Sequence, residues 1–107
     1  MDQEMMKGSV DLLILSLIGR RDMYGYEMVK VLKELSEDTY EMSEGTLYAA
    51  LKRLEKKTWV TSYWQQTESG RRKYYQLTDE GTKALAEKKE NWDWMNALVH
   101  KSSEGLL

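Results

Sequence analysis

The chain has 107 residues, neither cysteine nor proline, and 16 basic against 18 acidic side chains for a formal net charge of −2. That length suits one domain built on a single core, while the lack of cysteine excludes a disulfide framework and thiolate metal ligation. The longest apolar run, residues 12–18, is far short of the roughly 20 residues a membrane helix needs, so the expectation is a cytoplasmic protein with no membrane partner.

The first helix is predicted over about residues 8–19, with Ser9 as N-cap and Gly19 near its end. Val10, Leu12, Leu13, Ile14, Leu15, Leu17 and Ile18 cover nearly every side of it, so it belongs inside the fold or partly under a partner subunit. Coming after Lys7 the run mimics a leader peptide, but Asp2, Glu4 and Asp11 spoil the charge pattern and Gly19-Arg20-Arg21-Asp22 is no cleavage site. A second helix over about 24–37 places Met28, Val29, Leu32 and Leu35 on an inward stripe. Residues 38–42 then connect to the third.

The third helix, 43–57, has Leu47, Leu51 and Leu54 at i, i+4 and i+7 with Ala50 beside them, which fixes its inward face. Its outward side presents Gly45, Ala49, Lys52 and Lys56, flanked by Thr46, Tyr48 and Arg53. Small residues followed by long cations suit a helix that enters a DNA major groove, since they allow close approach and then reach bases or phosphates. Ser43 is placed to cap this helix, and the positive helix end adds an anion site there.

Two strands follow, 59–64 and 72–77, rich in aromatic and β-branched residues, with Thr67-Glu68-Ser69-Gly70 as the tip and Gly70 free to take a positive φ. Alternation sends Trp59, Thr61 and Tyr63 to one face and Val60, Ser62 and Trp64 to the other, without saying which is buried. Arg71, Arg72 and Lys73 make the hairpin basic. Residues 43–77 carry seven basic and three acidic side chains, whereas both flanking segments are acidic on balance. A groove-sized helix beside a basic β-turn is the arrangement of a winged helix-turn-helix, in which one element reads bases and the other positions the protein on phosphates. A plainer alternative is a solvated helix face next to a polar turn.

The last helix starts near Thr78, a candidate N-cap, with Asp79 and Glu80 suited to its positive end. Leu85, Trp92 and Val99 recur at seven-residue spacing with Met95 and Leu98 nearby, and the simplest use of this stripe is a dimer seam. Trp94 projects on nearly the opposite side. The expected class is therefore α+β, mainly α: a winged helix-turn-helix over 1–78 followed by a C-terminal dimerisation helix over 79–107.

Tyr24-Gly25-Tyr26-Glu27, Ser43-Glu44-Gly45-Thr46-Leu47-Tyr48, Lys52-Arg53-Leu54-Glu55 and the run from Gly70 through Gly81 together resemble the PadR family of bacterial transcriptional regulators, in the family's order and spacing. The resemblance implies a homodimeric repressor that binds double-stranded DNA. Family members often carry proline after the third-helix tyrosine where this chain has Ala49, and the short tail after Asp79 is similar to the family's short members. Among those, a multidrug-binding regulator places a tryptophan of its last helix in a flat pore at the dimer centre. Trp92 matches that position by its distance from Gly81. Flat aromatic or cationic compounds then become a candidate effector class, with Trp92 and Met95 as candidate contacts.

The DNA-contact set expected from pattern and resemblance is Tyr24, Ser43, Gly45, Thr46, Tyr48, Ala49, Lys52, Arg53, Arg71, Arg72 and Lys73. Tyr24 and Tyr26 suit packing and phosphate-side hydroxyls rather than base reading, and Tyr74 and Tyr75 divide between core and backbone contact. Trp92 has core or seam packing as its plainer alternative, and dimerisation is assigned to Leu85, Trp92, Met95, Leu98 and Val99. His100, the lone histidine, suits a solvent-facing position at the negative helix end. With no cysteine or second histidine, neither metal nor cofactor is expected. No nucleophilic triad, phosphate-cradling loop or paired-carboxylate cleft is evident, which argues against an enzyme. The rival from another class is a winged-helix ligand-binding or protein-interaction module without operator binding.

Overall fold

Helix α1 (Val10–Ile18) leads into a two-residue strand β1 (Met23–Tyr24), then α2 (Gly25–Leu35), α3 (Glu44–Lys56), the hairpin β2 (Val60–Thr67) and β3 (Gly70–Leu77), and α4 (Asp79–Glu104). The computed structural model describes residues 9–104. The strands form one antiparallel sheet in the order β1-β3-β2, completing a winged helix-turn-helix with a long C-terminal helix.

The leucine spacing of α3 does what it predicts. Leu47, Ala50, Leu51 and Leu54 are buried and meet Ile14 and Leu15 of α1, Met28 of α2 and Tyr75 of β3 in one cluster. No polar or charged side chain among the described residues is buried in that core. Apolar burial of this kind contributes roughly 25 cal/mol per Å², and it fixes the outer face of α3 by exclusion.

Four expectations change. Ser9 stands at the N-cap of α1, but its backbone is already helical (φ −114°, ψ 0°) and its side chain makes no capping bond. Tyr24 belongs to a strand rather than a helix: β1 pairs Met23 with Tyr75 and Tyr24 with Tyr74, and α2 begins one residue later. Leu35 sits on the inward stripe yet stays 62% exposed, because α2 ends there and the chain turns away through Glu37 and Asp38 at φ +53° and +63°. The connector 38–42 is not mere linker, since it buries Tyr40 and Met42. Ser36 anchors that turn by donating to the Lys33 carbonyl (3.1 Å) and accepting from the Tyr40 amide (3.0 Å).

The hairpin is longer than predicted, and only Glu68 and Ser69 separate its strands. Gly70 takes φ +111°, the positive value that position calls for. The face left open by alternation is now assigned: Val60 is buried and the Ser62 hydroxyl donates to Glu55 of α3 (3.3 Å), so the face of Val60, Ser62 and Trp64 is the one turned toward the helices. Thr78 begins α4 as expected, accepting from the Gly81 amide (2.9 Å) while donating to the Thr58 carbonyl (2.7 Å). Gly81 lies so close to β2 that a Cβ there would fall 2.0 Å from the Trp59 carbonyl oxygen. With 26 residues α4 is ~39 Å long; it leans on α1, and from Asn91 through Glu104 every side chain is exposed.

Candidate nucleic-acid interface

Ser43 positions the N-terminus of α3. Its backbone is extended (φ −71°, ψ 153°), and its hydroxyl accepts from the Thr46 amide (3.2 Å) while lying 2.9 Å from the Thr46 hydroxyl. Caps of this kind contribute about 1 kcal/mol to helix stability. Beyond the cap, Gly45, Thr46, Ala49, Lys52 and Lys56 are all exposed on one side, and a Cβ on Gly45 would meet nothing within 4 Å. No carboxylate among the described residues pairs with Lys52 or Lys56. This is an open, positively charged helix face.

Arg53 lies differently. Its guanidinium donates to Asp11 of α1 at 2.8 Å, so in this structure it braces α1 against α3 rather than standing free with Lys52. Tyr48 is 46% exposed, and its hydroxyl end rests on α2 where a Cβ on Gly25 would sit 2.4 Å from the hydroxyl oxygen. Gly25 therefore lets two helices approach at the edge of the outward face. Sequence reasoning passed over both partners; the second had a signal in the Tyr-Gly-Tyr run, whereas Asp11 lies 42 positions from its arginine and had none.

The three wing cations divide between two faces. Arg71 and Lys73 share the face of Tyr75, which is buried, and of Trp64, which stands directly across from Lys73. The Arg71 guanidinium lies 4.9 Å from the centre of the Trp64 ring. Arg72 leaves the other face and folds over Tyr24 at 4.5 Å. Tyr24 meets Tyr74 edge-on with centroids 5.5 Å apart, and Tyr74 stacks on Tyr63 at 5.8 Å. Cation–π contacts at such exposed sites contribute roughly 0.5–1 kcal/mol each and hold the guanidinium heads in place. Tyr63 also donates to Asp22 (2.6 Å), a bond that pushes its phenol up to about 12. Between the start of α2, Tyr48 and the wing runs a groove of about 450 Å³, lined by Tyr26, Tyr48, Trp64, Arg71, Arg72 and Lys73 among others and, among the described residues, by no carboxylate.

The last helix splits its apolar residues. Leu85, expected on the seam, is instead packed into the chain's own core, with its side chain 3.0 Å from where a Cβ on Gly19 would stand. Trp92, Met95, Leu98 and Val99 are between 44% and 56% exposed, and Trp94 is 64% exposed. Trp92 also forms one wall of a 570 Å³ groove against α1, with Ser9, Leu12, Leu13, Ser16, Lys89 and Asp93; Met95 is outside that wall. His100 pairs with Glu104 at 2.9 Å on the same helix.

Comparison with known proteins gives a consistent result. The family model described as the transcriptional regulator PadR-like family matches residues 14–87. An uncharacterized protein of Lysinibacillus sphaericus is 34% identical over 104 residues, covering 96% of this chain and 95% of that one. The transcriptional regulator YqjI of Escherichia coli is 32% identical over 92 residues, which span 86% of this chain but 43% of that longer protein. Among solved structures, a transcriptional regulator from Clostridium thermocellum superposes with a TM-score of 0.85 at 38% identity, over 94% of this chain and 96% of that one. A PadR family transcription regulator from Clostridium difficile gives 0.76 at 40% identity, over 87% and 96%.

Proposed function

This chain belongs to the PadR-like family of transcriptional regulators, and from that premise we propose that it binds a pseudo-palindromic operator as a homodimer and represses a nearby transporter or stress gene. The observation that carries the reading is the outward face of α3, bare at Gly45 and Ala49 and cationic at Lys52 and Lys56, set beside a groove whose wall, among the described residues, holds three cations and no carboxylate. Small residues let the helix sink between the backbones, and Lys52 then reaches base edges or phosphates. Arg71, Arg72 and Lys73 supply sequence-independent affinity through phosphate contacts. Ser43 and Thr46, joined by the cap, stand exposed at the start of α3, and Tyr24 lines the groove.

Homodimerisation rests on the exposed row Trp92, Met95, Leu98 and Val99, which a second copy of α4 would cover. Effector release rests on the groove between α1 and α4, where Trp92 offers an aromatic face beside Leu12 and Leu13, with Lys89 and Asp93 at the same wall, a lining suited to flat aromatic compounds. Such a ligand releases DNA only if it binds the non-operator spacing of the two wings more tightly. That groove also favours the second reading, a winged-helix ligand-binding or protein-interaction module without operator binding. A mobility-shift titration against the DNA upstream of the protein's own gene, with unrelated competitor and at two salt concentrations, separates the two. A discrete, competitor-resistant shift is the expected result, and its absence at both salts would favour the module.

A further inference from the structure

We propose that Trp64 is a DNA-contact residue in its own right, packing its indole on the sugar edge of the duplex strand whose phosphates Arg71 and Lys73 hold; the proposal rests on the operator-binding reading above. Strand parity puts Trp64 on the helix-facing side of the wing: Ser62, two residues earlier, reaches Glu55 of α3, and Tyr75 on the paired strand is buried. The core ends before Trp64. The indole is therefore 58% exposed although it points inward, and among the described residues no apolar element covers it. A tryptophan left bare on the inner face of a wing is an unfavourable place for solvent-facing apolar area unless something covers it.

The surroundings select the occupant. Across the groove stand Tyr26, 67% exposed, and Tyr48, 46% exposed. Lys73 is the cross-strand neighbour of Trp64, and Arg71 lies 4.9 Å over its ring, while no carboxylate among the described residues lines the groove. An apolar protein segment would gain nothing from those cations. A polyanion with apolar faces between its charges matches both features, and deoxyribose between phosphates is such a surface. The indole also limits the positions open to the Arg71 guanidinium, so the aromatic and the charge act on neighbouring parts of one backbone.

The two roles separate in the salt dependence. Removing one cation from a phosphate lowers the slope of log K against log salt by ~0.9, whereas an apolar group releases no counterion. Trp64→Ala is therefore expected to weaken operator binding about tenfold with the slope unchanged, the size of one aromatic interaction, and Trp64→Phe to recover most of that loss. Arg71→Ala is expected to lower the slope. Duplex DNA should shift the parent's tryptophan emission, and that shift should shrink in Trp64→Phe. If the parent binds duplex and Trp64→Ala binds it equally well, the proposal is overturned while operator binding stands. If Trp64→Ala lowers the slope as Arg71→Ala does, the indole only orients the arginine and the sugar contact is wrong. If single-stranded DNA competes as well as duplex, the groove takes unstacked bases, and that too overturns it. A parent that binds no DNA overturns both readings together.

Discussion

Replacing Asp11 with Asn decides what Arg53 does. The sequence places Arg53 among the DNA contacts, and the structure shows its guanidinium 2.8 Å from Asp11, with the arginine side chain 52% and the aspartate 19% exposed. A half-exposed pair of this kind contributes about 0.2–1 kcal/mol. Asp11 also lies in the first turn of α1, where its charge adds roughly 0.3–1 kcal/mol through the helix dipole. Asp11→Asn should therefore cost about 1 kcal/mol of stability, a fall in Tm of roughly 4–8 °C for a domain of this size. If Arg53 must leave Asp11 to reach the operator, the same substitution removes that cost from binding and raises operator affinity about two- to fivefold. Fluorescence anisotropy on a labelled operator, with Asp11→Asn tested alone and in an Arg53→Ala background, isolates the pair from the general effect of removing a negative charge. A gain in affinity that is present alone and absent in the Arg53→Ala background is the expected result. A lower Tm with operator affinity the same in both backgrounds would refute the reasoning and leave Arg53 as a brace between α1 and α3.

The two close-approach glycines should respond unequally to alanine. Gly81→Ala meets a backbone carbonyl at 2.0 Å that cannot swing aside, and it should destabilise by about 3 kcal/mol or more by thermal melting. Gly25→Ala meets the free end of the Tyr48 ring, so it should cost only about 1 kcal/mol, and a Gly25→Ala, Tyr48→Ala double variant should remove the clash component; equal losses at the two glycines would contradict this. The Tyr63 phenol, raised to about 12 by its bond to Asp22, favours the fold in its neutral form. That stability is full below the ordinary tyrosine range near 10 and is lost as pH rises toward about 12. At about pH 11 the folded parent should show less phenolate absorbance than Asp22→Asn, and identical titrations would argue against the bond. Planar cationic dyes should quench tryptophan emission in the parent and much less in Trp92→Ala, whereas equal quenching would move the effector site away from the α1–α4 groove.

What was legible in the sequence is what is local. Leu47, Leu51 and Leu54 fix the inward face of α3 within four turns, and its outward face follows by geometry. Gly70 and Thr78 announce a turn and a cap because the residue types suit only a few backbone conformations there. What depends on distant partners did not show. Strand β1 is two residues long and exists only because β3 offers a free edge roughly fifty positions later. Tyr40 and Met42 carry no periodicity, yet a left-handed turn at Glu37 and Asp38 delivers them to the core. Leu85 fits the heptad as well as Trp92 does, but the first turns of α4 lie against α1, so it is buried within its own chain. The division of Arg71 and Lys73 from Arg72 followed from strand parity and became visible only once the register with Trp64 was known.

Hydroxyl-radical footprinting of the protein on the DNA upstream of its own gene tests the central claim most directly. A homodimer presenting two α3 helices and two wings should protect two backbone segments on one side of the duplex, with centres about 34–36 Å apart, one helical turn. The Lys52→Ala variant should lose discrimination between operator and competitor, while Arg71→Ala should weaken both footprints without moving them. A single protected segment, or protection spread evenly along the fragment at every protein concentration, would contradict a dimer reading an operator through α3.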